Sequence, residues 1–141
     1  MTRTRILFDT DPGIDDAMAL AMLALDPRAE LVGITTVFGN VPIELTTRNA
    51  LALREHFGID HVPVARGAAR PLVKPAGDFA DFVHGANGLG NVELPEPSGA
   101  LDPRPAAQFI VEMPAGRKEV LKEEKGAAER AEENRSESLF D

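Results

Sequence analysis

Four aspartates, Asp9, Asp11, Asp15 and Asp16, fall within eight residues of one another in the stretch Leu7-Phe8-Asp9-Thr10-Asp11-Pro12-Gly13-Ile14-Asp15-Asp16. Crowded carboxylates raise one another's pKa and repel, unless a metal ion or the positive end of a helix answers their charge. Both remedies are at hand. Ile6-Leu7-Phe8 reads as a buried strand, Pro12-Gly13 as a turn, and Asp15 onward as a helix with an acidic first turn. A purely structural reading has Asp11 as helix cap, Pro12 at the first helical position, and Asp15 and Asp16 complementing the dipole. Capping uses one carboxylate, however, and four are present. Clustered aspartates beside a turn suit a hard cation such as Ca²⁺ or Mg²⁺, which takes several oxygen ligands, better than zinc.

The elements that position these groups follow in order. Ala17 to Leu25 is apolar almost all round, as a helix buried against a sheet should be, and Asp26-Pro27 ends it. Leu31 to Val37 reads as a second strand, covered on both faces and closed by Gly39-Asn40. This is a βαβ unit with a right-handed crossover. Pro42 opens another helix, in which Ile43, Thr46, Ala50, Leu53 and Phe57 repeat at helical spacing until Gly58 stops it. His56 and His61 read as surface or capping histidines. Val62 to Ala65 is a short third strand near an edge, because Pro63 cannot donate to a ladder.

Ligands of open parallel sheets bind beyond the carboxyl ends of the strands. Asp9, Asp11, Asn40 and Arg66-Gly67 all follow predicted strands and are expected to converge on one crevice. Asn40 has a second reading as cap of the helix at Pro42. Residues 67–105 are rich in Gly, Pro, Ala and Asp without a sustained period, as in a functional or disordered loop. Pro105 then opens a helix through Met113.

The string Asp9-Thr10-Asp11-Pro12-Gly13-Ile14-Asp15-Asp16 resembles the N-terminal signature of the inosine-uridine-preferring nucleoside hydrolases. The likeness continues through Thr35 to Asn40 and through His84-Gly85-Ala86-Asn87-Gly88-Leu89-Gly90, and stops near Met113. The resemblance implies an α/β fold, an open and mainly parallel sheet with flanking helices, Rossmann-like and here truncated. It also implies calcium-dependent hydrolysis of ribonucleosides to free base and ribose, and homo-oligomers in the full-length family. Asp11 and Asp16 would then ligate calcium, with Asp11 also the catalytic base. Asp15, Asn40 and His84 would contact substrate, and Asp9 would support the metal shell. Two alternatives compete: a phosphatase of the haloacid-dehalogenase type, for which Asp9 and Asp11 suffice but Pro12-Gly13 and Asp15-Asp16 go unexplained, and a non-catalytic truncated fragment.

The sequence predicts two parts, residues 1–113 as the N-terminal portion of the hydrolase domain and residues 114–141 as a charged tail. In that tail 14 of 28 residues are charged, which predicts a solvated helix or disorder. The abrupt change suggests a shifted frame, a truncated gene, an artificial boundary or a natural short variant. The chain's 141 residues and 43% hydrophobic content fit one soluble domain. A net charge of -8 argues against nucleic-acid or anionic-membrane partners. No cysteine is present, which excludes disulfides and thiolate chemistry and suits a cytoplasmic setting. Neither a signal-peptide core nor a membrane span is expected.

Overall fold

The computed structural model describes residues 3–75 and 77–113, so the expectation for the 114–141 tail lies outside the described residues. Three strands, β1 (Thr4–Thr10), β2 (Ala29–Thr36) and β3 (Val64–Arg66), form a parallel sheet in the order β1-β2-β3. Helix α1 (Ile14–Leu25) joins the first pair and α2 (Ile43–His56) the second. Because every crossover of such a sheet has the same hand, two successive crossovers in this strand order lay both helices on one face. Phe8, Ile34 and Val64 are neighbours across the three strands, and they pack there with Leu20, Ala50, Leu51 and Leu53.

The pairing of β1 with β2 is not uniform. Ile6 lies opposite Leu31 but Leu7 lies opposite Gly33, so Val32 is an extra residue, a bulge in β2. Beyond the bulge the register runs cleanly to Asp9 opposite Thr35 and Thr10 opposite Thr36.

The other face of the sheet is covered by α4 (Ala106–Glu112), through Phe109, whose ring is fully buried. It occupies the space over Gly33, where an added Cβ would stand 2.5 Å from the ring. The Arg104 guanidinium lies 4.7 Å above the same ring and is paired with Asp102, whose carboxyl it holds down at about 2.

One expectation and one alternative reading are corrected here. The apolar surround of α1 does not mean burial on all sides: only Leu20 is fully buried, whereas Met18, Met22 and Leu25 are 66%, 72% and 83% exposed. The sheet covers one flank of the helix, and no described residue covers the other. The first helical turn is also capped differently. Gly13 is the N-cap and Ile14 the first helical residue, and the carboxylate of Asp16, not Asp11, accepts the Gly13 N–H at 3.1 Å.

The long segment after β3 contains one short helical turn, α3 (Asp81–His84), and is anchored by distant partners. Glu55 accepts the Ser98 and Gly99 amides, the Gly99 bond chiefly holding its carboxyl below the usual range. Arg48 pairs with Glu96, and the Asp102 amide donates to Val64 at 2.8 Å. His56 and His61 are both exposed, as expected. Among the described residues no helix is long and apolar enough to cross a membrane.

Candidate active site

The polar groups of the aspartate motif gather where β1 and β2 end. Asp11 follows β1, and Asn40 follows β2; the Asn40 amide N–H donates to Asp11 Oδ2 at 2.8 Å, and its side-chain Nδ2 donates to the Asp11 carbonyl at 3.0 Å. Gly39 is what allows this approach, since a Cβ there would collide with the Asp11 carboxylate. The same Asn40 Nδ2 lies 3.5 Å from Asp16 Oδ2. Asp16 is fixed on both oxygens: Oδ1 accepts the Thr10 hydroxyl at 2.5 Å and Oδ2 the Gly13 amide. Asn40 thus links two carboxylates rather than capping α2, whose cap position Pro42 takes.

His84 completes the arrangement from a different part of the chain. Its Nδ1 accepts the Ile14 amide at 3.3 Å and stands 3.8 Å from Asp15 Oδ1. Accepting through Nδ1 places the ring proton on Nε2 in the neutral imidazole. Gly13 lies at the centre of the cluster: a Cβ added there would fall 2.6 Å from Asn40 Nδ2 and 2.6 Å from His84 Nδ1. The Asp15 side chain is 82% exposed at the mouth, free to meet a solute.

Two predicted members lie apart. Asp9 projects to the opposite face of the sheet from Thr10, where its Oδ1 accepts the buried Thr35 hydroxyl at 2.5 Å. Arg66 does not join the carboxylates; it turns outward to Glu44 in the first turn of α2, because that exposed carboxylate lies 2.5 Å away. Thr10, Thr35 and Gly13 were read as members of the motifs but given no role at the site. Their signal was position alone, as hydroxyls and a glycine next to the aspartates and at the end of the second strand.

The donor chemistry suits a hard cation in kind but not in number. Asp11 and Asp16 bring carboxylate oxygens, the ligands calcium prefers, yet calcium takes about 6–8 oxygens and two carboxylates supply at most about four. Among the described residues no three acidic or imidazole side chains gather closely enough to hold a metal ion. Any complete shell draws on further oxygen atoms. An apolar cleft of about 230 Å³, bounded by Ile14, Leu53, His56 and Leu89, adjoins the cluster through Ile14 and contains none of its carboxylates.

Comparison with known proteins gives the family. The family model for inosine-uridine preferring nucleoside hydrolases matches residues 6–126. Uridine nucleosidase 1 of Arabidopsis thaliana is 51% identical over 108 residues, which are 77% of this chain and 32% of that protein. The inosine-uridine preferring nucleoside hydrolase of Leishmania major is 44% identical over 110 residues, 77% of this chain and 35% of its own length. A solved plant nucleoside hydrolase superposes with a TM-score of 0.72 at 37% identity, over 77% of this chain and 34% of that one. The chain therefore spans about a third of the length of the relatives it matches. Strand order, the aspartate turn with its asparagine, and these matches agree: the chain belongs to the inosine-uridine preferring nucleoside hydrolase family.

Proposed function

We propose that the chain carries the water-activating part of a calcium-dependent hydrolase that cleaves the N-glycosidic bond of ribonucleosides, releasing free base and ribose. The observation that supports this most directly is the packing of Asp11, Asn40, Asp16 and His84 around Gly13 at the carboxyl end of the parallel sheet. Asp11 and Asp16 would hold the cation. Bound there, calcium would supply a water of lowered pKa as the nucleophile.

The chain's own groups do the rest. With Asn40 holding Asp11 Oδ2, the other carboxylate oxygen would take the proton of the attacking water. Asp16, bonded through both oxygens, cannot swing away and keeps its charge near the sugar. Asp15, exposed at the mouth, hydrogen-bonds ribose hydroxyls, and His84 borders the same space. Departure of the base leaves positive charge on the sugar ring, which these carboxylates stabilise. Asp9 supports the cluster through Thr35 from the far face of β2.

The test is hydrolysis of a chromogenic riboside, and of uridine and inosine, by the purified chain with calcium and then with a chelator. Chelator-sensitive turnover is expected, and Asp11→Ala should lower it by about 10²–10⁴-fold with the circular dichroism unchanged. Full activity in Asp11→Ala removes it as the base. No turnover by the unaltered chain under any calcium concentration sinks the proposal for this chain and leaves the non-catalytic reading.

A further inference from the structure

Asn49 lies in the middle of α2 and is fully buried, a polar side chain among the aliphatic residues Ala50, Leu51 and Leu53 of the core. Its Nδ2 donates in two directions: to the Asn87 carbonyl at 2.8 Å, in the loop that follows α3, and to the Pro12 carbonyl at 3.4 Å, in the aspartate turn. Reversing the amide would set its oxygen against two carbonyl oxygens, so the two acceptors fix its orientation. Asn49 Oδ1 is then left buried without a hydrogen-bond partner. An unpartnered buried carbonyl is destabilising. What the residue supplies in return is a buried tie between the loop and the aspartate turn, beside the bond from the Ile14 amide to His84.

A second feature fits the same contact. Gly88, with φ +81, rides directly over this amide, and a Cβ on it would lie 2.9 Å from Asn49 Nδ2 and 3.3 Å from the Pro12 carbonyl. The loop is shaped to bring its backbone down onto Asn49. His84 sits at the start of that loop, and the loop closes on it through the Gly90 amide, which donates to the His84 carbonyl at 2.7 Å.

We infer that Asn49 is a positioning residue for His84: by holding Asn87 and Pro12 together, it sets the imidazole against the Ile14 amide and beside Asp15. This rests on the proposed function only in giving His84 a substrate to border. Asn49 itself touches none of the reacting groups. Its effect on catalysis runs through substrate affinity rather than through the attacking water.

The experiment reads His84 directly, by the ¹⁵N resonance of its Nδ1 and the amide resonance of Ile14, in the full chain. Asn49→Ala should shift both toward the values of a free imidazole and an unpaired amide. Gly88→Ala should do the same, because its Cβ pushes the loop off Asn49 while every residue of α2 is kept. Thr46→Ala is the structural control: Thr46 is equally buried in α2 and bonds only within it, to the Ile43 carbonyl at 3.2 Å, so it should lower stability and leave His84 unmoved. In riboside hydrolysis, Asn49→Ala should raise KM about tenfold with kcat within about twofold.

His84 and Ile14 signals unchanged in Asn49→Ala, or moved as far by Thr46→Ala, overturn the inference. If Asn49→Ala does not fold, Gly88→Ala decides in its place. If the unaltered chain shows no turnover, the functional proposal fails, and the resonance measurements still decide the role of Asn49.

Discussion

The two faces of the sheet are built on different principles. On one, Phe8, Ile34 and Val64 meet two helices and a broad set of aliphatic side chains, so burial is shared among many residues. On the other, a single ring, Phe109, fills the space over Gly33, and towards the strand ends the surface becomes polar with the Asp9–Thr35 pair. The candidate site lies on the helix side, with Thr10 and Asp16, and Asp9 stands apart from it on the other face. A face stabilised by many small contributions tolerates change at each of them; a face that hangs on one ring does not.

Replacing that ring tests the contrast most severely. Phe109→Ala should cost about 3–5 kcal/mol, read from the urea midpoint, because Gly33 has no side chain with which to close the cavity. A loss below about 1 kcal/mol would show that the second face is not held by the ring. A smaller effect is expected from Thr35→Val, which keeps the shape but removes the hydroxyl that Asp9 accepts. It should cost about 1 kcal/mol, and a value near zero would detach Asp9 from the sheet's polar edge. Smallest of all is Met22→Gln, on the flank of α1 that faces away from the sheet: its midpoint should stay within about 0.5 kcal/mol of the original. A large loss there would mean that the outer flank is covered after all and that the count of covered surfaces is wrong.

Much of this arrangement could be read from the chain. Alternating strand and helix patterns, the proline before α2 and the glycine after it carry local signatures, and parallel strands necessarily end on one side, which brought Asp11 and Asn40 together. The exposure of α1 could not be read, because an apolar pattern states what a side chain prefers and not whether a neighbour exists to satisfy it. Nor could Asp16 be separated from Asp11 as the cap, since both lie within a turn of the helix start. Residues 67–105 looked unstructured because their anchors, Glu55 to Gly99 or Arg48 to Glu96, join positions more than forty apart and leave no period behind. Asn49 did leave a trace, as the one amide within the buried stripe of α2.

The extra residue in β2 bears on how this chain tolerates insertions and deletions. Loss of Val32 would abolish the bulge and straighten the early part of the strand, leaving Gly33 to Thr36 opposite the same partners. With the bulge kept, loss of Gly33 or Ile34 would instead exchange inside for outside from that point on, turning Thr35 and Thr36 away from Asp9 and Thr47 together. One position of the strand is therefore open to length variation, and the two that follow it are closed.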